Sequence, residues 1–488
     1  MFPAGKAADA KAFDERAIKS GIPSILLMEN AAFSLFLEVS KIIEKFKIDK
    51  IVLFAGRGGN GGDGFALLRI LIDRGCTLPM FVVPFFSFQD RLPLVSEDSF
   101  LNWKILPETV KKTELKEITG KVLFVDAMIG TGLKRNLDGE FKEGVEFINS
   151  YKDKFVLTID VPTGLNSDTG RIMGTAVAAD VTVTMGIYKT GLFAENGPKT
   201  SGKIVLGKIS ACESKLQNYS YYVEENLSVK SREIPIDSYK NKNGHLLVVG
   251  GEIDKLGATI IAARAFMASG GGLVTAAFEK KLHDKIAGVM PGMMLADIEQ
   301  VPEILNNFDS IVIGPGLLKF PFKDREIFKS YKGTVVVDAG MFDIINEYND
   351  LLNSFDSLKT VFTPHAGELR RFLKATGNEP WINQIERFPL KKEQILVAKS
   401  HSTFIKDIEK TVVIPHGAKA LSFGGSGDAL AGIIACETFF DGLSEGVKKG
   451  VIKHRAAGIE LERKYSASFH DIDKLVEVIG IAGKKNGS

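Results

Sequence analysis

The sequence alternates short β-branched or apolar runs with stretches of helical periodicity, and it does so in two separate blocks. The strands predicted in the first block are 50–55, 78–83, 122–125, 155–159 and 181–184. Those predicted in the second block are 245–249, 272–277, 310–313, 334–337 and 360–362. Strands that alternate with helices form parallel sheets covered by helices on both faces. Each block therefore predicts one α/β domain.

A polar stretch rich in Asn, Ser, Lys and Glu, residues 213–243, separates the two blocks. The chain has 488 residues, which exceeds the roughly 250–300 residues at which a single hydrophobic core stops growing. We place the boundary near residue 222, so that the predicted domains are 1–222 and 223–488. The halves share no glycine pattern or repeat period, which argues against an internal duplication.

Composition excludes several classes of function. The 62 basic and 60 acidic residues are mixed along the chain and give a formal net charge of +2, which argues against nucleic acid as a partner. Cys76, Cys212 and Cys436 lack the number and spacing of a disulfide framework or a zinc site. The sequence shows neither an apolar signal core nor an apolar run of about 18–20 residues. We therefore expect a cytoplasmic protein without a membrane partner.

A glycine-rich segment, residues 56–64, follows the first predicted strand and precedes a helical stretch that starts at Phe65. Backbone N–H groups at such a helix start can bind an anion, because the helix dipole places partial positive charge there. A tight βα turn is the alternative, but six glycines in nine residues exceed what a turn needs. The spacing matches neither the Walker loop nor the dinucleotide fingerprint. The segment therefore predicts a ligand loop of another type.

Two more predicted strands of this half end in turns that contain an acidic residue, at Asp126 and Asp160. Ligands of open α/β sheets bind beyond the carboxyl ends of the strands. We therefore predict that Asn60, Asp126, Asp160 and Thr163 share one crevice. A single Asp at a strand end is also often only a helix cap, and that alternative stays open here.

The second half contains Gly-Gly-Ser-Gly-Asp at 424–428, followed by an apolar helix. A glycine-rich helix start supplies N–H donors to a phosphoryl group, and Asp428 can act as base on a hydroxyl. A helix cap is the alternative for Asp428. Upstream, His365 lies in Thr-Pro-His-Ala-Gly-Glu between a strand and a helix. It is predicted to contact substrate, and a packed or capping histidine is the alternative.

Residues 10–212 resemble the N-terminal domain of the bifunctional NAD(P)H-hydrate repair enzymes, a family that repairs hydrated nicotinamide dinucleotides. The resemblance rests on 21–31, the glycine-rich segment, the Asp-Ala-Met-Ile-Gly-Thr-Gly turn at 126–132 and the stretch 160–170. It implies a Rossmann-like, doubly wound sheet and an activity that interconverts the R and S epimers at the hydrated carbon. It also implies a potassium ion held by Asn60, Asp126 and Thr163.

The same resemblance implies a set of substrate-binding residues: Gly59, Asn60, Gly61, Gly62, Asp63, Gly130, Thr131, Gly132, Leu133, Lys134, Arg135, Asn136 and Asp160. Asp160 is the predicted catalytic residue for proton transfer, with Lys189 as a second candidate. A solvated surface lysine is the alternative for Lys189. Two positions depart from the family pattern, since Gly59 replaces a usual Asn and Thr163 replaces a usual Ser. Thr163 keeps the hydroxyl group.

From about residue 225 the chain resembles the ADP/ATP-dependent dehydratase domain of the same family, which implies a ribokinase-like α/β fold. The matching pieces are 256–259, 268–274, 314–317, 363–368, Lys399 and 424–428. Ala258, Gly316, His365 and Asp428 would face the hydrated dinucleotide. The residues that would face the adenine nucleotide are Lys399, Ser400, His401, Ser402, Thr403, Gly425 and Gly427. Mg²⁺ would accompany ADP or ATP.

In the reaction that the resemblance implies, Asp428 takes the hydroxyl proton, the nucleotide phosphorylates the hydroxyl, and phosphate then departs. The substrates would be hydrated NADH and NADPH, and the assembly a homo-oligomer. Departures lie at Lys255 and Leu256, where an aromatic residue is usual, at Gly340, where Asp is usual, and at 416–419. A vitamin kinase of ribokinase-like fold, fused to a Rossmann-like binding or scaffold domain, is the alternative function.

Overall fold

The computed structural model of the protein describes residues 1–85, 96–210, 219–229, 232, 235–252 and 254–481. Cys76 and Cys436 are free thiols. Cys212 and parts of the polar stretch 213–243 lie outside the described residues. The chain divides into two compact units, Phe2–Val223 and Glu224–Ser488, the second of which also includes Met1.

The N-terminal unit is built on a parallel sheet. The strands described in this unit are β1 (Phe2–Gly5), β2 (Lys50–Ala55), β3 (Met80–Pro84), β4 (Lys111–Lys112), β5 (Val122–Ala127), β6 (Lys154–Ile159), β7 (Val181–Met185), β8 (Tyr188–Lys189), β9 (Lys203–Gly207) and β10 (Tyr221–Val223). Their order in the main sheet is β4-β3-β2-β5-β6-β7-β9, and each neighbouring pair is parallel. Strand β1 pairs with β8 in parallel and with β10 in antiparallel orientation.

Helices cover both faces of this sheet. They are α1 (Ala7–Lys19), α2 (Ser24–Lys45), α3 (Gly59–Asp73), α4 (Glu97–Lys104), α5 (Gly139–Ser150) and α6 (Gly197–Thr200), with 3₁₀ turns at Leu115–Glu117 and Thr190–Leu192. Successive residues of β2 point to opposite faces, so Ile51 and Leu53 pack into the core under α2 and α3, while Val52 and Phe54 pack into the core under α5. This double burial explains the continuous apolar runs, and the sheet is doubly wound as predicted.

The C-terminal unit has a second sheet of the same kind. Its described strands are β11 (His245–Val249), β12 (Leu273–Phe278), β13 (Met293–Asp297), β14 (Ser310–Ile313), β15 (Thr334–Val337), β16 (Lys359–Phe362), β17 (Gln394–Ala398), β18 (Thr403–Lys406) and β19 (Thr411–Ile414). Their order is β13-β12-β11-β14-β15-β16-β17-β18-β19. Strands β11 to β17 are parallel, and β18 and β19 extend the sheet in antiparallel pairs.

The helices of this unit are α7 (Leu256–Ala268), α8 (His283–Ile286), α9 (Val301–Ile304), α10 (Met341–Glu347), α11 (Ala366–Phe372), α12 (Trp381–Glu386), α13 (Ser426–Asp441), α14 (Leu443–Lys464) and α15 (Ile472–Ile481). Shorter 3₁₀ turns lie at Lys240–Asn243, Lys280–Leu282, Ile298–Gln300, Leu305–Asn307, Asn349–Phe355 and Lys419–Leu421. Within the described residues, no helix has the length and hydrophobicity that crossing a membrane requires.

Each sheet has a point where the strand order reverses, between β2 and β5 in the first unit and between β11 and β14 in the second. Parallel strands at such a point leave a crevice beyond their carboxyl ends, and ligands bind there. All ten predicted strands are present, with ends that differ by at most two residues. The predicted α/β class is confirmed for both units.

Candidate active sites

The glycine-rich segment of the N-terminal unit is mostly helix rather than loop. Helix α3 begins at Gly59, six residues before the predicted start at Phe65. A Cβ atom on Gly61 would lie 1.9 Å from the carbonyl oxygen of Gly56, and one on Gly64 would lie 2.6 Å from Leu53. These glycines let the helix pack closely on β2, so packing alone accounts for part of the glycine excess.

Gly58 and Gly59 differ from the glycines that follow them. A Cβ atom on either residue would meet no atom within 4 Å, so the start of α3 is open. The N–H groups of the first helical turn have no partner inside the helix and are available to a ligand. Asn60 and Asp63 lie on the first two turns and are partly buried. Gly58 and Gly59 are therefore the glycines of this segment whose open surroundings agree with the predicted anion binding.

Asp126 is completely buried at the end of β5 and accepts four hydrogen bonds. Thr158 Oγ1 donates at 3.1 Å, and Thr163 donates from its backbone N at 2.9 Å and from Oγ1 at 2.6 Å. Burial raises the pKa of Asp126, against the opposing effect of the Thr163 hydrogen bonds. The fourth donor is the backbone N of Met128 at 3.3 Å. Thr158 and Thr163 are on β6 and on the turn that follows it, so Asp126 ties two strand ends together and does not cap a helix.

Asn60 lies on the other side of the same turn. Its side-chain amide donates to the Ile159 carbonyl oxygen at 3.0 Å, and a Cβ atom on Gly130 would lie 2.7 Å from Asn60 Oδ1. Thr163 Oγ1 accepts a hydrogen bond from the backbone N of Ile129 at 3.0 Å. The turn at 129–130 therefore contacts both Asn60 and Thr163, and Thr163 is hydrogen-bonded to Asp126. The side chains of these three residues offer a carboxylate, an amide oxygen and a hydroxyl, which are ligands for hard cations.

The turn continues into residues 130–136, the predicted substrate loop. Its exposed members are Gly132, Lys134, Arg135 and Asn136, whereas Gly130, Thr131 and Leu133 are partly buried. The backbone N of Leu137 donates to the Met173 carbonyl oxygen at 2.9 Å and anchors the end of the loop. The loop lies next to Asn60 through Gly130, so it forms one wall beside the start of α3.

Asp160 and Lys189 form a buried ion pair at the ends of β6 and β8. Lys189 Nζ lies 2.5 Å from Asp160 Oδ1 and also donates to the Met185 carbonyl oxygen at 2.7 Å. Asp160 has φ 68°, a left-handed conformation that a non-glycine residue adopts at a cost. Only 2% of the Lys189 side chain is exposed, so the alternative of a solvated surface lysine is wrong. The pairing also excludes a helix cap at Asp160.

In the C-terminal unit, α13 begins at Ser426, directly after Gly425 at φ 95°. Ser426 Oγ lies 3.1 Å from Nε2 of the buried His454. A Cβ atom on Gly427 would lie 3.3 Å from Lys399 Nζ, so the lysine ammonium borders the helix start. Asp428 is in the first turn, and Gly425 is the cap residue, without a side-chain capping bond. The cap alternative for Asp428 is therefore wrong.

Asp338, Glu368 and Lys399 lie close enough to Asp428 for their charges to affect it. Lys399 Nζ lies 2.7 Å from Asp338 Oδ1, and Thr363 Oγ1 donates to the same oxygen at 2.7 Å. Burial and the charges of Asp338 and Glu368 raise the pKa of Asp428 to about 7, against the opposing effect of Lys399. A carboxylate that titrates near neutral pH is suited to proton transfer. Burial lowers the pKa of Lys399, but Asp338 and Glu368 outweigh burial and raise it.

His365 caps α11. Its Nδ1 accepts hydrogen bonds from the backbone N–H groups of Gly367 at 3.0 Å and Glu368 at 3.3 Å, and Glu368 reaches back to the His365 N–H at 2.8 Å. The capping alternative is therefore correct for His365 Nδ1. The ring is 55% exposed, and Nε2 lies 3.2 Å from Glu368 Oε1.

The remaining predicted residues lie at three strand ends. Gly316 has φ 74°, and a Cβ atom there would lie 2.6 Å from the Lys255 carbonyl oxygen. The loop after β14 therefore contacts the start of α7, where Ala258 lies. Between β17 and β18, Ser400 Oγ donates to the Ser402 carbonyl oxygen at 2.6 Å. Ser402 Oγ is buried without a partner among the described atoms, while His401 is exposed and Thr403 partly buried.

Each unit matches one family model. The model of the YjeF-related protein N-terminus matches residues 24–191, and the model of the NAD(P)H-hydrate dehydratase matches residues 246–479. The bifunctional NAD(P)H-hydrate repair enzyme Nnr of Dictyoglomus turgidum is 30% identical over 462 residues, which cover 88% of this chain and 87% of the relative. The chain belongs to the bifunctional NAD(P)H-hydrate repair enzymes.

Other bifunctional NAD(P)H-hydrate repair enzymes match over similar lengths. That of Archaeoglobus fulgidus is 30% identical over 443 residues, which cover 88% of this chain and 87% of the relative. Among solved structures, the ADP/ATP-dependent NAD(P)H-hydrate dehydratase of Bacillus subtilis, co-crystallised with ATP and Mg²⁺, is 22% identical with a TM-score of 0.47 and covers 55% of this chain and 99% of its own. A ribokinase-like superfamily protein of Enterococcus faecalis is 25% identical with a TM-score of 0.44 and covers 55% and 97%.

This repair enzyme departs from the resemblance at Gly340 for a structural reason. A Cβ atom on Gly340 would lie 2.0 Å from the Leu317 carbonyl oxygen, so the loops after β14 and β15 are packed too closely for any side chain there. At the departure in 416–419, burial lowers the pKa of His416, and Arg455 Nε donates to the His416 carbonyl oxygen at 2.8 Å. The 416–419 segment is thus tied to α14.

Four residues of the repair enzyme's two sites were not predicted: Asp14, Asp338, Glu368 and His454. Asp338 follows a strand in the same way as Asp126 and Asp160, so its position at a strand end was an available signal. Glu368 lies three residues after His365, the spacing of a capping-box glutamate, which conceals its proximity to Asp428. Asp14 and His454 lie on helices, where no local signal marks them.

Proposed function

We propose that residues 1–222 interconvert the R and S epimers of hydrated NADH and NADPH, and that residues 223–488 dehydrate the S epimer with ADP or ATP. The observation that carries the proposal is the position of Asp428 in the first turn of α13, beside Lys399 and an open glycine start. An ionised carboxylate at that place can accept the proton of a hydroxyl group while backbone N–H groups and an ammonium face the transferring phosphoryl group.

These residues suit a dehydration that proceeds by way of a phosphate ester. Hydroxide is a poor leaving group, so Asp428 takes the hydroxyl proton as the oxygen attacks the terminal phosphorus of the nucleotide. The resulting phosphate ester then loses phosphate and a ring proton, which restores the double bond. The N–H groups at Gly425 and Gly427 and the Lys399 ammonium stabilise the phosphoryl charge. Mg²⁺ bound to the nucleotide phosphates would neutralise further charge during the transfer.

In the N-terminal unit, the start of α3 and the loop 130–136 would bind the dinucleotide, and Asp160 would handle the proton at the hydrated carbon. Potassium would be held by Asn60, Asp126 and Thr163, of which Asn60 and Thr163 contact the turn at 129–130 and Asp126 is hydrogen-bonded to Thr163. The ion would fix the position of that turn relative to the substrate. For His365, Ala258 and Gly316, a substrate contact is supported by their place at one end of the second sheet.

The test is an incubation of the purified protein with mixed R and S NADH hydrate, Mg²⁺, K⁺ and either ADP or ATP. Formation of NADH is followed by absorbance, together with release of phosphate. Complete conversion of both epimers supports both activities and names the phosphate donor. Conversion of the S form alone contradicts the epimerase, and absence of NADH with either donor contradicts the dehydratase.

We also propose that the protein is a cytoplasmic homo-oligomer. The exposed apolar side chains Leu26, Phe33 and Leu37 of α2, which are 42–49% exposed, support an assembly through the N-terminal unit. Light scattering at micromolar concentration tests this part, and a monomer contradicts it.

A further inference from the structure

Helix α1 is fixed against the Asp160–Lys189 pair although it precedes the segment, 24–191, that the first family model matches. The strand before it pairs in parallel with β8, so that Gly5 is the register partner of Lys189. The backbone N of Ala7 donates to Asp168 Oδ1 at 2.6 Å. In the middle of the helix, Phe13 is buried, and a Cβ atom on Gly186 would lie 3.0 Å from its ring. Asp14, the next residue, is therefore held at the edge of the site.

Asp14 differs from Phe13 in being exposed to solvent. Its carboxyl group lies close enough to Lys189 and Asp160 for both charges to affect it. Partial burial by the surrounding protein and the charge of Asp160 raise the pKa of Asp14 to about 6, against the opposing effect of Lys189. A solvent-exposed carboxyl group with this environment can exchange its proton with water near neutral pH.

Three carboxyl groups in this region share one ammonium group. Lys189 Nζ is already bound to Asp160 at 2.5 Å. Burial and the charges of Asp160 and Asp14 hold the pKa of Asp63 well above its usual range. Asp160 is bound to Lys189 in the ion pair and Asp63 is partly buried on α3, which leaves Asp14 as the solvent-exposed carboxyl group of the three.

We propose that Asp14 is a second proton-transfer group of the epimerase site and acts on the substrate hydroxyl together with Asp160. The proposal rests on the epimerase function proposed above and deepens it. Inversion of one carbon by loss and return of water needs a proton donor on one face of the ring and an acceptor on the other. A single Asp160 held in an ion pair cannot serve both faces, and Asp14 comes from a different element.

The proposed inversion passes through an intermediate with a C=N bond. Water adds to an enamine at the carbon next to nitrogen, so the hydroxyl-bearing carbon is bonded to the ring nitrogen. The C–O bond breaks, its electron pair leaves with oxygen, and a proton from Asp14 converts the departing hydroxide to water. The nitrogen lone pair forms a C=N bond. Water then attacks the opposite face, the C=N pair returns to nitrogen, and Asp160 accepts the released proton before exchange with solvent resets both groups.

The test compares Asp14→Asn with Glu15→Gln in the full chain, with K⁺ and without nucleotide, so that only R and S interconversion is measured by chromatography. Glu15 is an exposed carboxylate on the same helix, 3.6 Å from Lys11, and lies outside the proposed machinery. We expect Asp14→Asn to slow the catalysed interconversion by about 100-fold or more, within the range of general acid–base catalysis. We expect Glu15→Gln to stay within about twofold of wild type, as typical surface substitutions do.

Two further measurements separate catalysis from a structural effect. Dehydration of the purified S epimer with nucleotide should be unchanged in Asp14→Asn, which shows that the chain is folded. In wild type, kcat/KM for interconversion should fall as pH rises through about 6, because Asp14 loses its proton there, and Asp14→Asn should abolish this dependence. Unchanged interconversion in Asp14→Asn, or a slower rate with the same pH dependence, overturns the role of Asp14. Absence of interconversion in wild type overturns the epimerase function itself.

Discussion

Both units contain a buried lysine–aspartate pair at the carboxyl end of a parallel sheet, but the two pairs face their sites in opposite ways. In the N-terminal pair the aspartate is the more exposed partner, 12% for Asp160 against 2% for Lys189. In the C-terminal pair the lysine is the more exposed partner, 18% for Lys399 against 2% for Asp338. The first site therefore presents a carboxylate to a ligand, and the second presents an ammonium.

This reversal agrees with the two reactions that we propose. Epimerisation moves protons and needs carboxyl groups at the substrate, whereas phosphoryl transfer needs positive charge at the phosphate. The carboxyl group that reacts in the second site, Asp428, lies outside the pair and beside Gly427. The same type of ion pair thus supports different chemistry in the two sites, depending on whether the lysine or the aspartate is buried deeper.

The largest effect is expected for Asp428→Asn, which removes the base of the second site and leaves both ion pairs intact. Nucleotide-dependent dehydration should fall by about 10²- to 10⁴-fold, the usual contribution of a general base. Interconversion of R and S epimers without nucleotide should be unchanged. Single-turnover formation of NADH from the S epimer measures the loss, and a loss below tenfold would contradict the role of Asp428.

The next effect concerns the pairs themselves, through Lys189→Met and Lys399→Met. Removal of one partner of a buried ion pair typically costs about 3–5 kcal/mol, because the other charge remains buried. We expect the larger part of that cost for Lys399→Met, which leaves Asp338 only 2% exposed, and a smaller cost for Lys189→Met, which leaves Asp160 12% exposed. Denaturant unfolding of each variant measures the free energies.

Activity should separate the same two variants. Lys399→Met is expected to raise the KM for the nucleotide, because its ammonium borders Gly427. Lys189→Met should leave that KM unchanged. Equal losses of stability in both variants would mean that the difference in exposure has no energetic consequence.

A smaller effect separates the two kinds of glycine at the start of α3. Gly61→Ala should destabilise the protein by about 1–3 kcal/mol, the typical cost of overpacking, because its Cβ atom would lie 1.9 Å from the Gly56 carbonyl oxygen. Gly59→Ala is the matched control, since nothing lies within 4 Å of its Cβ position. Thermal unfolding compares them, and a neutral Gly61→Ala would contradict the packing role.

The smallest effect is a difference in pH dependence between the two activities. Asp428 must be ionised to act as a base, so dehydration should decrease about tenfold per pH unit below its pKa, which is about 7. Interconversion should change in the opposite direction, because it decreases above the pKa of Asp14 at about 6. Initial rates of both reactions between pH 5 and 8 test this, and parallel profiles would contradict the assignment of the two groups.

The sheets could be predicted from the sequence because their strands are buried on both faces, and β2 and β11 have the predicted bounds. The grouping of the turns that follow these strands was also predictable, because parallel strands end at one edge of the sheet. Packing of the glycines in α3 was not predictable, because a glycine that binds a ligand and a glycine that admits a neighbour look the same in sequence.

Asp14 shows where prediction from the sequence ends. Its helix buries Phe13 and Ala17, and this pattern indicates a packed face without saying what lies beside it. The position of Asp14 depends on the pairing of Gly5 with Lys189, two residues that are 184 positions apart in sequence. Strand register between distant segments is set by the folded structure, so neither the pairing nor the neighbouring carboxyl groups could be read from the local pattern.

The close contact at Gly340 limits which substitutions the protein tolerates at that position. Since any Cβ atom there would lie 2.0 Å from the Leu317 carbonyl oxygen, an aspartate cannot be introduced by a single substitution without a shift of the backbone. The backbone near Leu317 would have to move first, and that movement depends on other positions. An aspartate at position 340 and its present neighbours are therefore incompatible, so this substitution is tolerated only together with changes elsewhere in the two loops.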